Sequence, residues 1–134
     1  DVYKRQDGHI AFNEPGTSLK SLTHPAVLTA QTRRDNARFF DGDIDKVPRH
    51  ALTQGVGTIL RARKILLIAT GSNKADAVRD MVEGPVSISC PGSALQLHNN
   101  VKVLLDEAAA AKLERQDFYR EIYANRPQGA WLGL

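Results

Sequence analysis

The chain has 134 residues, of which 42% are hydrophobic and 25% are charged, and its formal net charge is +3 at pH 7. This length and composition predict a single globular domain with a packed core, and no apolar run is long enough to span a membrane. Basic and acidic residues are interspersed, so nucleic acid is not expected as a partner, and the single cysteine excludes an internal disulfide.

The first half of the chain predicts a polar loop, a short strand and a helix. Residues 7–16 (DGHIAFNEPG) form the loop, residues 17–23 are irregular, and residues 27–29 (VLT) are a short strand. Residues 31–40 (QTRRDNARFF) have the composition of a surface helix whose Ala37 and Phe40 face the core, and the following Asp-Gly-Asp ends it.

Residues 51–60 place five apolar side chains at helical spacing: Ala51, Leu52, Val56, Ile59 and Leu60. Gly55 and Gly57 interrupt this pattern. Because glycines lower helix stability, their presence predicts close packing against backbone or ligand.

The second half of the chain predicts a parallel α/β sheet. Residues 65–70 (ILLIAT) read as a strand buried on both faces, which is typical of parallel sheets. A turn at residues 71–74 and a helix at residues 75–82 follow, an order in which the helix start favours a phosphate. Four further segments complete the prediction: a weak strand at 86–89, helical turns at 93–97, a strand at 101–105, and one helix from 106 through Tyr123.

The loop at residues 7–16 is the candidate functional site. Asp7 and His9 flank a glycine, and Glu14 follows just before a Pro-Gly turn. Carboxylates this close to an imidazole suit a relay that moves protons near neutral pH. The alternative is a polar loop with a capping aspartate, because Asp-Gly and Glu-Pro pairs are ordinary turn residues.

This loop resembles the active-site loop of the glucosamine-6-phosphate deaminases, the hexosamine-phosphate isomerase/deaminase family, whose signature joins a Gly-His pair to FNEP. Four further segments are similar to later blocks of the same family: 36–40 (NARFF), 45–60 (DKVPRHALTQGVGTIL), 65–78 (ILLIATGSNKADAV) and 93–110 (SALQLHNNVKVLLDEAAA). The resemblance implies the C-terminal half of a three-layer, Rossmann-like α/β fold of the deaminase/isomerase/CoA-transferase type. Residues 1–6 match nothing in the family and are expected to be junction sequence, residues 7–124 the half domain, and residues 125–134 a tail.

The reaction implied by the resemblance converts glucosamine 6-phosphate and water into fructose 6-phosphate and ammonia, a hydrolase-class step of amino-sugar catabolism. His9 matches the histidine that opens the sugar ring, and Asp7 and Glu14 match the carboxylates beside it. Arg38 and Lys74 match the residues that bind the substrate phosphate. The base for proton transfer between C2 and C1 belongs to the family's other half, so this chain alone is expected to be inactive. No metal and no cofactor are expected.

Other readings remain open at this point. A 6-phosphogluconolactonase also uses a DGH-containing loop, although the FNEP run favours the deaminase, and a silent sugar-phosphate sensor or a small binding domain is a further alternative. The resemblance implies a cytoplasmic protein, and a homo-oligomer is left open. Residues 22–27 (LTHPAV) lack the basic pair that binds an allosteric activator in some family members, so activation is not expected.

Overall fold

A computed structural model describes residues 8–127 of the chain. Asp7, the expected junction at residues 1–6 and residues 128–134 of the expected tail lie outside the described residues. The elements follow in the order β1 (His24–Val27), α1 (Ala30–Asn36), β2 (His50–Thr53), α2 (Val56–Ile59), β3 (Ile65–Ala69), α3 (Ala75–Val82), β4 (Val101–Leu105), α4 (Glu107–Ala110) and α5 (Gln116–Ala124). Short 3-10 helices lie at Ala37–Phe39, Ile44–Lys46, Ser72–Lys74 and Pro91–Leu97.

The described strands form two two-stranded sheets. β3 and β4 pair in parallel, with Ile65 opposite Val101 and Ala69 opposite Leu105, which confirms the predicted parallel pairing. β1 and β2 form a separate antiparallel ribbon. None of the helices among the described residues is both long and apolar enough to cross a membrane.

Helix α3 connects two small cores on the covered face of the parallel sheet. Val78 packs with Ala109 and Leu113, whereas Met81 packs with Cys90 and Leu95. The loop side chain of Ile10 also packs against the second cluster, and in this way the core fixes the candidate site.

The prediction that β3 is buried on both faces was wrong for the described residues. Leu66 and Ile68 are 51% and 66% exposed, and Leu104 on β4 shares their open face. The described helices cover only the opposite face of the sheet. The strand therefore has apolar side chains on both of its faces, although the described residues 8–127 bury only one of these faces.

Four local predictions also differ from the structure. The strand at 27–29 instead spans His24–Val27, and Thr29 caps α1. The helix at 51–60 is the strand β2 followed by the short helix α2, because residues 50–53 pair with β1. Residues 86–89 form only an isolated bridge from Ser87 to Cys90. The single C-terminal helix is two, since residues 111–115 separate α4 from α5.

The predicted close packing of the two glycines is confirmed. A Cβ at Gly55 would lie 2.2 Å from the carbonyl oxygens of Ser21 and Leu22, and a Cβ at Gly57 would lie 2.8 Å from the backbone of Lys20. These positions let the irregular segment before β1 lie directly on α2.

Candidate active site

The loop that carries His9 is held by backbone contacts on both sides. The Gly92 N–H donates to the Gly8 carbonyl at 2.8 Å, and the Phe12 N–H donates to Thr53 Oγ1 at 3.2 Å. Gly8 adopts a φ of +64°, which favours glycine. Its missing side chain leaves room for Cys90, because a Cβ there would lie 2.4 Å from Sγ.

Asn13 is the buried anchor of this loop, and our sequence analysis did not single it out. Its amide donates to the carbonyls of Ile10 and Gln54, each at 2.8 Å, and the residue has no exposed surface. Since the amide bridges a turn to a segment 41 positions away, only the folded chain shows its role. The only signal in the sequence was an asparagine in a turn-rich loop, a residue whose amide can both donate and accept.

The tautomer of His9 follows from its contact with the loop. Nδ1 lies 2.7 Å from the carbonyl oxygen of Ala11, and a carbonyl can only accept, so Nδ1 carries a proton. In the neutral ring the lone pair therefore lies on Nε2. Ala11 has a φ of +53°, a costly conformation for a residue with a Cβ, and this conformation is part of the turn that supplies the carbonyl.

His9 and Lys74 line one pocket of about 180 Å³. The loop, the end of β3 and one side of α3 supply its other walls, which are mostly apolar. A pocket of this kind with an imidazole and an ammonium group can bind an anionic molecule and transfer a proton to it.

The electrostatic setting of Lys74 is unusual. Burial lowers the pKa of its ammonium group below the ordinary value, and the nearby Asp35 carboxylate opposes that shift. Lys74 ends the 3-10 turn just before α3, which confirms the predicted order of turn and helix at residues 71–82.

Asp106, which our sequence analysis did not single out, fixes the turn that precedes Lys74. Both of its carboxylate oxygens accept from the Gly71 N–H, at 2.9 and 3.1 Å, and Oδ1 also accepts from the Ala109 N–H at 2.7 Å. Gly71 has a φ of +90°. An aspartate directly after a strand and before an Ala-rich run is a helix-cap signal, but its bond to Gly71 spans 35 positions.

Glu14 and Arg38 are not among the residues that line the pocket. The described hydrogen bonds of the Glu14 carboxylate run to α1 and its cap: Oε1 accepts from the hydroxyl of Thr32 at 2.5 Å and from that of Thr29 at 3.4 Å. Arg38 is exposed on the 3-10 turn after α1, and its guanidinium lies 4.7 Å from the centroid of the Phe39 ring. The structure therefore brings His9 and Lys74 together and places Glu14 against the helix that leads to Arg38.

Two buried oxygens in the loop have no hydrogen-bond partner among the described residues, Asn13 Oδ1 and Glu14 Oε2. Leaving such atoms unpaired is costly, so each calls for an explanation. Residues 8–127 contain no group of three His, Cys, Asp or Glu side chains that could hold a metal ion.

His98 has a structural role in the described part of the chain. Its Nδ1 accepts from the Asn100 N–H at 3.0 Å, so Nε2 carries the proton that it donates to the Ala62 carbonyl at 2.6 Å.

No family model matches the chain. Curated proteins named glucosamine-6-phosphate deaminase are 59% identical over 128 residues in Streptomyces coelicolor and Mycolicibacterium smegmatis, and 52% identical in Bifidobacterium longum. Each alignment covers 96% of this chain and 47–48% of the relative, so the chain spans about half the length of the curated relatives that it matches.

A solved structure gives the same result at the level of fold. It is described as a monomeric glucosamine-6-phosphate deaminase and a missing link of the NagB superfamily. The two structures superpose with a TM-score of 0.75 at 54% identity, over 79% of this chain and 44% of the other. The α/β fold class expected from the sequence is confirmed.

Proposed function

Because this chain belongs to the glucosamine-6-phosphate deaminase family over the half that it spans, we propose that the protein carrying these residues converts glucosamine 6-phosphate and water into fructose 6-phosphate and ammonia. The residues of this chain open the sugar ring and hold the phosphate. The observation that carries the proposal is the pocket shared by His9 and Lys74, in which the imidazole is fixed as a defined tautomer.

His9 moves the proton during ring opening. Opening a cyclic sugar requires the anomeric hydroxyl to lose a proton and the ring oxygen to gain one, while the bond from C1 to the ring oxygen breaks. The Nε2 lone pair accepts the first proton and returns one to the ring oxygen. The Ala11 carbonyl keeps the ring oriented and stabilises the imidazolium that forms between the two transfers.

Lys74 binds the phosphate dianion. A phosphate at this position would oppose the effect of burial, since a nearby anion raises the pKa of an ammonium group. Arg38 supplies a second donor, with a guanidinium that matches phosphate oxygens in pairs. Its exposed position on a short turn requires the side chain to swing from Phe39 toward the substrate.

The carboxylates of Glu14 and Asp7 stabilise the positive charge of His9 during ring opening in this proposal. The steps after ring opening need a further group. Proton transfer from C2 to C1 needs a base, which we expect in the part of the fold that these residues do not span. Water then adds at C2, and the nitrogen leaves as ammonia. Because that base lies elsewhere, we expect this chain alone to release no ammonium.

The wider assignments belong to the same proposal. The net reaction consumes water, which places it formally among the hydrolases, although the chemistry is an isomerisation followed by loss of nitrogen. A phosphorylated substrate and a single cysteine suit a cytoplasmic location. For the assembly of the whole protein, light scattering will separate a homo-oligomer from a monomer like the matched structure.

The test measures ammonium and fructose 6-phosphate released from glucosamine 6-phosphate by the full-length protein that contains these residues. His9→Gln should lower kcat by about 10²- to 10⁴-fold, the range for loss of a general acid–base group. His24→Gln is the matched control. Like His9, His24 has its Nδ1 2.7 Å from the backbone carbonyl of a residue two positions away, in this case the preceding Leu22. Hydrolysis of 6-phosphogluconolactone without ammonium release would replace the proposal with a lactonase, and activity on neither substrate would favour a sensor.

A further inference from the structure

The carboxylate of Glu14 is bound unequally at its two oxygens. Oε1 accepts from Thr32 Oγ1 at 2.5 Å, the shorter of its two described hydroxyl contacts. Oε2 is buried and has no partner among the described residues. A hydroxyl that binds a carboxylate this closely makes a strong, charge-assisted bond and holds it in one orientation.

Thr32 is placed to fix that orientation. It is only 7% exposed, and its hydroxyl lies 3.0 Å from the hydroxyl of Thr29, which caps the start of α1, so its side chain has little freedom. The Asn36 amide donates to the Thr32 carbonyl at 2.8 Å, close to the 3-10 turn that carries Arg38. Thr32 therefore contacts both segments: its hydroxyl binds Glu14 of the ring-opening loop, and its backbone carbonyl accepts from Asn36, next to the turn that bears Arg38.

We propose that Thr32 is a positioning residue for Glu14, an inference that rests on the proposed function. Its hydroxyl occupies Oε1 and leaves Oε2 as the carboxylate oxygen that acts during ring opening. A buried carboxylate oxygen without a hydrogen-bond donor is energetically costly. In this proposal the fold retains Oε2 in that state because its donor is supplied only when the substrate is bound.

The kinetic test compares Thr32→Val with Thr32→Ser in the full-length protein. Valine keeps the branched shape and removes the hydroxyl, whereas serine keeps the hydroxyl. Loss of a hydrogen bond to a charged group predicts a fall in kcat of about tenfold or more for Thr32→Val, with KM changed less than about twofold. Thr32→Ser should keep kcat within about threefold of the parent. Thr58→Val is the control, because the hydroxyl of Thr58 takes part in none of the described hydrogen bonds.

Two kinetic outcomes would overturn the proposal. One is a Thr32→Val variant with the parent kcat, or with a loss confined to KM. The other is a Thr32→Ser variant that loses as much as Thr32→Val, since packing and not the hydroxyl would then matter. If Thr32→Val does not fold, Thr32→Ala removes the same hydroxyl with a residue that helices favour.

A second measurement separates this inference from the proposed function. Urea unfolding of Thr32→Val, Glu14→Gln and the double variant forms a cycle that does not depend on activity. If the two side chains are coupled, the double variant lowers the urea midpoint of unfolding by less than the sum of the decreases in the two single variants. If the side chains are coupled but the full-length protein releases no ammonium, the contact between Thr32 and Glu14 stands and the proposed deaminase activity is rejected. If they are not coupled, the contact itself is rejected.

Discussion

Replacing Gly8 with alanine tests whether the active-site loop depends on close contact with Cys90. Two costs combine at this position. An alanine at a φ of +64° costs about 1–2 kcal/mol in backbone strain. A Cβ built 2.4 Å from Cys90 Sγ also forces the buried thiol or the loop to move, and overpacking of this kind costs about 1–3 kcal/mol. The expected loss in free energy of unfolding is therefore about 2–5 kcal/mol.

Gly16→Ala provides the matched control for Gly8→Ala. Gly16 also has a positive φ, +93°, but a Cβ there would meet nothing within 4 Å, so it reports backbone strain alone. Cys90→Ala in the Gly8→Ala background should recover the steric part and leave the strain. Urea unfolding followed by circular dichroism gives all four free energies. Equal losses for the two glycine variants, with no recovery from Cys90→Ala, would refute the packing argument.

Three further predictions follow from described contacts. Lys74→Gln should raise KM for the sugar phosphate with less effect on kcat. As the pH rises, the parent should lose affinity for the phosphate at a lower pH than a site with an ordinary lysine would, because burial lowers the pKa of this ammonium group. Measuring KM of the parent and the variant over a pH series checks both expectations. Glu83 has a lowered pKa, chiefly through the N–H of Glu114, so its contribution to stability is present above pH 4.5 and is lost as the pH falls through the lower, folded-state pKa; Glu83→Gln should flatten the acid side of a plot of Tm against pH, and an unchanged slope would contradict this. Asp106→Asn removes the charge from the acceptor of the Gly71 N–H and should raise KM more than it lowers kcat, whereas a purely structural role would lower Tm and leave KM unchanged.

The parallel pairing of β3 and β4 could be predicted because each strand is a short apolar run with a helix after it. Those signals are local, and the structure reproduces them within one residue. The antiparallel ribbon could not be predicted in the same way. Residues 50–53 have apolar spacing that also fits a helix, and only their pairing with residues 24–27 makes them a strand.

The sequence by itself determined which residues form the candidate site, because loop residues such as His9 and Glu14 stand in one short ordered motif and Lys74 follows a strand end. The tertiary structure decided how those residues are held. Thr32 meets Glu14 across 18 positions, and Asp106 meets Gly71 across 35. Such contacts leave no periodic pattern in the sequence, since each depends on where two separate segments pack. The side chains that carry the chemistry can therefore be found from local motifs, whereas the geometry that brings them together exists only in the folded protein.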